Sequence, residues 1–176
     1  MIDQDPGVTY LGIDQIHAPD RGPMTVPATD AQRSARLSGL LERLKARGLR
    51  MTPQRLAILG ALVMHPGHPT VDELHRALLP RFPSMSLATV YKTITLLKGM
   101  GEVLELEFSS RDNRFDGHNP SPHPHLICTG CGRVLDPRVP DLAQLISDLA
   151  QRTGFAVSSH RLDFYGLCPD CQRARG

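Results

Sequence analysis

The sequence predicts an α+β protein made of two small units, on three observations. Capped helical patterns follow one another between residues 31 and 101 and lead into an alternating, strand-like segment. Beyond residue 118 the pattern changes to short strand-like runs around one amphipathic helical stretch. All four cysteines of the 176 residues lie in that last part, as two CxxC pairs. A chain of this length holds one sizeable domain or two small ones, and the change of pattern favours two.

Residues 1–30 are rich in Pro, Gly and Asp and lack helical or strand periodicity, so they are expected to form a flexible N-terminal extension. From Ala31 a helix is expected, with Leu37, Leu40, Leu41 and Leu44 on one face and Gly48 ending it. A second starts at Thr52-Pro53, where the hydroxyl caps and Pro fills a first-turn position needing no amide hydrogen, and runs to about Met64. Thr70-Val71-Asp72-Glu73 is a capping-box pattern that opens a third, closed by Pro80. The fourth begins after Ser86, buries Val90, Ile94 and Leu97, and ends in the stretch Gly99 to Gly101.

After Gly101, EVLELEF alternates apolar and acidic side chains as a half-buried strand does, and SSRDNRF offers a turn and a return strand. Helices followed by a two-stranded ribbon point to a winged helix-turn-helix over residues 31–117, whose last helix, SLATVYKTITLLK, would enter the major groove of DNA. Thr89, Tyr91, Lys92 and Thr95 would lie on or near its polar side; Lys92 and Arg50 would meet phosphates, and Tyr91 a thymine methyl. This segment carries 13 Lys or Arg against 8 acids, a net of +5, which permits a phosphate-bearing partner. A plain helical domain with a solvated polar face is the bland alternative.

Residues 118–176 make the second unit. His125 to Asp136 reads as two short strands joined by the turn TGCGR, Asp141 to about Thr153 as an amphipathic helix, and Ala156 to Tyr165 as an apolar-rich strand. A bare strand edge there is a hazard unless another subunit pairs with it, so a homodimer is expected. The chain has no run of about eighteen apolar residues, and MIDQDPGVTY lacks the basic flank and apolar stretch of a secretion signal. A cytoplasmic protein without a membrane partner is expected.

Cys128 with Cys131 and Cys168 with Cys171 are separated by 36 residues, each pair beside small or turn residues. Four thiolates at this spacing suit a tetrahedral, closed zinc site with a structural role. Disulfides are disfavoured in a reducing compartment, and a redox-active CxxC needs no second copy. His123 and His125, two apart in an extended segment, point to one side, while Cys128 has the opposite parity and faces away, so one stretch can serve two ions. Asp136 ends the partner strand, Asp116 closes the return strand of the wing, and His68 lies in the turn opening the third helix. Three imidazoles and two carboxylates suit Fe(II), Mn(II), Co(II) or Zn(II). His65 and His118 are spare histidines able to replace an assigned ligand.

RMTPQRLAIL, HPTVDELHRAL, SLATVYKTITLL, RFDGHNPSPHPHLICTGCG and HRLDFYGLCPDC, in that order, resemble the ferric uptake regulator (Fur) family of metal-dependent bacterial repressors over about residues 36–172. The resemblance implies a winged-helix DNA-binding domain, an α/β dimerisation domain and a homodimer that grips a palindromic operator when its regulatory metal is bound. It also implies that His68, Asp116, His123, His125 and Asp136 form that regulatory site, for iron or manganese. Asp136, where iron sensors and many zinc sensors of the family tend to have Glu, makes the chain resemble the peroxide-responsive branch. There, iron-catalysed oxidation of a ligand histidine, His68 or His123, releases the metal and ends repression.

Pro122, Pro124 and Ala143 stand where a further site of some relatives wants ligands, leaving only His160, so two metals per subunit are expected. The nearest alternative is a regulator of the same family that reports iron, zinc or manganese supply without sensing peroxide. A non-haem iron enzyme, also built on two histidines and a carboxylate, would need a substrate pocket. A metal-carrying chaperone would leave Thr89 to Thr95 unexplained.

Overall fold

The computed structural model describes residues 28–108 and 112–175. Most of the expected extension, residues 1–27, lies outside the described residues. The helix α1 spans Asp30–Ala46 and begins one residue before the expected start, because Thr29 caps it and forms a capping box with Gln32. It stops at Arg47, and Gly48 takes the left-handed conformation, φ 74°, that only glycine adopts freely.

Local chemistry sets the next three helices as the sequence predicts. Thr52, Thr70 and Ser86 each cap with a side-chain oxygen, opening α2 (Pro53–Met64), α3 (Val71–Leu78) and α4 (Leu87–Gly99). Their inward faces meet in one core that includes Leu40, Leu44, Ile58, Leu59, Leu62 and Ile94. Each such side chain contributes about 1.5–3 kcal/mol when fully buried, so packing rather than propensity holds these short helices.

The ribbon follows, with β1 (Leu104–Leu106) antiparallel to β2 (Arg114–Asp116). It lies along the loop that precedes α3: Thr70 bridges to Arg114, and the Phe115 N–H donates to the Pro69 carbonyl at 3.0 Å. At the root of the ribbon the buried Glu102 accepts from Arg36 and Arg43 of α1, and Arg36 also donates to the carbonyl of Gly117. These bonds tie the first helix to the point where the chain leaves the wing.

A second sheet has the order β4-β3-β5, with β3 (His125–Cys128) antiparallel to β4 (Val134–Leu135) and parallel to β5 (Asp163–Gly166). Between β4 and β5 comes α5 (Leu142–Thr153), and α6 (Pro169–Arg173) closes the chain. Leu106 of the ribbon packs with Ile127 and Val134, so the two sheets share a small apolar cluster.

One expectation is corrected. The strand placed over Ala156 to Tyr165 forms only at Asp163–Gly166, and residues 154–162 adopt no regular structure. The physical reason is supply: β3 offers four residues for pairing, and β5 takes all four. No helix among the described residues is long and apolar enough to cross a membrane.

Candidate metal centres

The four thiols come together from three short elements. Cys128 ends β3, Cys131 lies in the turn that follows, and Cys168 and Cys171 stand at the start of and within α6. Their sulfurs lie within 4.8 Å of one another, and none is in a disulfide. The turn needs its glycine: a Cβ on Gly130 would lie 2.9 Å from Cys171 Sγ. Cys128 Sγ accepts the backbone N–H of Cys168 at 3.2 Å and of Cys131 at 3.5 Å, and such donors draw its thiol down to about 5. The Cys171 thiol is pushed up to about 12 by hydrogen bonding to Cys168, Cys128 and Cys131. Anions repelling one another around a common point, with no solvent ligand needed to complete four, fit a tetrahedral dication.

The second cluster joins residues far apart in sequence. His68, His123, His125 and Asp136 each offer a ligand atom within 4.8 Å of the others. Asp136 Oδ1 lies 3.2 Å from His68 Nε2 and 3.6 Å from His123 Nε2. Asp116 stands outside that tight four but close by, its Oδ2 lying 3.6 Å from His68 Nε2 and 3.4 Å from His123 Nε2. All five residues singled out in the sequence therefore meet. Neither His65 nor His118 joins the tight group: His65 Nδ1 accepts the Gly67 N–H at 3.1 Å within its own turn.

Local bonds aim each of these side chains. Arg114 donates to the His68 carbonyl at 2.7 Å and to Glu73 at 3.2 Å, while Glu73 also closes the α3 capping box, so His68 is fixed against the ribbon carrying Asp116. Asp116 spends Oδ1 on the N–H groups of His118 and Asn119, leaving Oδ2 for the cluster. His123 Nδ1 sits 2.8 Å from the Ser121 carbonyl and His125 Nδ1 3.2 Å from Asp163 Oδ1, which frees both Nε2 atoms. Arg114, Glu73 and Asp163 escape a sequence reading, because their roles depend on ribbon placement and on strand register.

Electrostatically the two carboxylates draw positive charge into the cluster. Burial by itself pushes the His68 imidazolium down, but Asp116 and Asp136 together outweigh it and hold the group up at about 9. Burial likewise opposes ionisation of Asp116 and Asp136, yet the histidines hold both carboxyls below the usual range. His125 is driven down by burial and then by the charges of His123 and His68. Both ring nitrogens of His68, and Nε2 of His123 and of His125, are buried without a hydrogen-bond partner. Buried polar atoms are normally satisfied, and a shared metal ion satisfies this set.

The predicted nucleic-acid face is distributed more loosely. Tyr91, Lys92 and Thr95 are exposed on α4, and Arg50 is exposed before α2. Thr89 is half-buried, and its hydroxyl lies 2.9 Å from the Ser86 hydroxyl at the helix cap.

Comparison with known proteins supplies the context. The pattern described as the Ferric uptake regulator family matches residues 46–165. The chain is 44% identical over 137 residues to the peroxide operon regulator of Bacillus subtilis, covering 78% of this chain and 94% of that protein. It is 43% identical over 139 residues to the peroxide-responsive repressor PerR of Staphylococcus saprophyticus, covering 77% and 91%. Among solved structures it is similar to the Campylobacter jejuni peroxide stress regulator, with 35% identity, a TM-score of 0.60, and coverage of 75% and 98%.

Proposed function

The chain belongs to the ferric uptake regulator family, whose members are transcriptional regulators and not enzymes, and from that premise we propose a metal-dependent repressor that senses hydrogen peroxide. The observation that carries the reading is the cluster of three imidazoles and two carboxylates with its buried nitrogens unpartnered. Relatives named for their response to peroxide support it.

In this reading residues 31–117 are the DNA-binding domain and residues 118–176 the dimerisation and metal-binding domain. Cys128, Cys131, Cys168 and Cys171 hold structural Zn2+, pinning α6 to the β3–β4 turn. His68, Asp116, His123, His125 and Asp136 hold regulatory Fe2+ or Mn2+. His68 and Asp116 come from the first domain and the other three from the second, so closing this ligand set favours one inter-domain angle. That angle sets whether the two recognition helices of a homodimer match successive major grooves of a palindromic operator. Arg50, Thr89, Tyr91, Lys92 and Thr95 then make the DNA contacts. A shift from mostly slack to mostly gripping requires about 10⁴-fold tighter metal binding to the gripping form.

Iron held by these five residues would supply the reduction of peroxide, one oxygen going to a ligand imidazole and the other leaving as water, whereas manganese would supply the grip alone. His68 and His123 are the oxidation-sensitive positions. An oxidised ring donates more weakly, the two domains part and repression ends. The cytoplasm, where thiols stay reduced, suits four free cysteines.

The test is a DNA-shift assay of the iron and manganese forms before and after peroxide, with mass spectrometry of the peptides. The iron form is expected to leave the operator as a His68 or His123 peptide gains one oxygen, and the manganese form to stay bound. Loss of binding without oxygen on either peptide would overturn the mechanism.

A further inference from the structure

His125 is braced differently from the other two histidines of the cluster. On the side away from the cluster, His68 Nδ1 has no hydrogen-bond partner and His123 Nδ1 leans on a backbone carbonyl, whereas His125 Nδ1 leans on a carboxylate. The register of the sheet puts it there: β3 and β5 are parallel with His125 directly opposite Asp163, and the His125 N–H donates to the Leu162 carbonyl at 3.0 Å. Both side chains are almost fully buried, at 3% and 6% exposure. With its other oxygen accepting from the Arg161 guanidinium, the Asp163 carboxylate accepts here too, so Nδ1 carries the proton of the 3.2 Å contact and the ring's lone pair falls on Nε2. That atom is buried and unpartnered.

Asp163 is held in turn. Its Oδ2 accepts from Arg161 Nε at 2.6 Å, and the same guanidinium donates to the carbonyl of Glu107, just beyond β1, at 3.0 Å. The chain His125, Asp163, Arg161, Glu107 therefore runs from the histidine cluster to the far end of the first ribbon strand.

We infer that Asp163 is a positioning residue of the regulatory site, locking His125 as the Nδ1–H tautomer with Nε2 presented to the ion, while Arg161 fixes the carboxylate. This role rests on the regulatory site proposed above. A carboxylate brace orients a ligating imidazole and raises its donor strength, and loss of such a brace typically weakens metal binding about 10–100-fold.

Two measurements on zinc-loaded protein test it. Long-range proton–nitrogen NMR of the form without manganese is expected to report Nδ1–H for His125 in the parent chain and a mixture of tautomers in Asp163→Ala. Manganese titration is expected to show about 10–100-fold weaker binding in Asp163→Ala and a loss in the near-isosteric Asp163→Asn, which keeps the shape of the site if the alanine variant folds poorly. An unchanged tautomer, or unchanged manganese affinity in both variants, overturns the positioning role while the site stands. If the parent chain and a His68→Ala control take up the same manganese, the site itself is lost and the role with it.

Discussion

In the proposed function, Asp136 is the residue on which peroxide sensing turns. Its carboxylate reaches His68 and His123 at 3.2 and 3.6 Å from a short stem, while its side chain keeps 46% of its exposure. Asp136→Glu adds a methylene and alters the approach to an ion held there. The expected result is a blunted peroxide response with metal-dependent DNA binding retained, read by shift assay of the iron form. Proton competition gives a second prediction. The His68 imidazolium, raised from 6.5 to about 9, is charged in the metal-free protein at neutral pH and must lose its proton to ligate. Apparent manganese affinity should therefore rise roughly tenfold per pH unit for each proton displaced, His123, which Asp136 holds up against burial, adding to the His68 slope, and level off above about pH 9, as titrations at several pH values will check. For the metal-free fold the sign is the opposite: the His68 contribution is fully present below pH 6.5 and is lost as pH rises through about 9. At this scale the clustering of the four cysteines and of His123 with His125 was legible, because the parity of the two histidines and the doubled CxxC follow from spacing alone, whereas His68, Asp116 and Asp136 join them only through the fold. Their supports were not: Arg114 reaches the His68 carbonyl across 46 positions of sequence, a contact that exists only once the ribbon lies along the loop before α3.

Among the elements, the junction after β2 leaves little room for a side chain. A Cβ on Gly117 would stand 2.5 Å from Leu62 Cγ of α2, and the Gly117 carbonyl accepts from Arg36 at 3.3 Å. Gly117→Ala must therefore displace the buried Leu62 side chain, and with it α2 or Asp116 where the core cannot give, and is expected to cost about 1–3 kcal/mol in thermal or denaturant unfolding and to weaken manganese binding. Adding Leu62→Ala should restore part of the metal affinity, while the empty space lowers stability further. Unchanged affinity in Gly117→Ala would show that this packing does not place Asp116. Helix starts were readable here because capping is local: Thr52, Thr70 and Ser86 act within three residues of themselves. The strand expected over Ala156 to Tyr165 is shorter in the fold because apolar composition marks what can pair, whereas pairing depends on a partner that the sequence does not locate.

At the scale of the whole molecule, the described residues leave an apolar face uncovered among themselves. No residue of α5 is buried, and Leu145, Leu149, Phe155, Phe164 and Tyr165 are all exposed. Such a face wants a second copy, consistent with dimeric regulators of this family. Leu145→Asp with Leu149→Asp is expected to convert dimer to monomer in sedimentation experiments and to cost operator affinity about a hundredfold or more, since two half-sites are no longer bound as a unit. A double variant that stays dimeric would locate the interface elsewhere. The shared cluster of Leu106, Ile127 and Val134 bears on how the molecule lets go of DNA. Because hydrocarbon from the wing is glued to hydrocarbon of the neighbouring sheet, swinging apart must wet both surfaces at once. Release should then resemble the snap of a catch rather than the slackening of a spring, and a population of repressors would answer an oxidant as a changing mixture of latched and unlatched molecules.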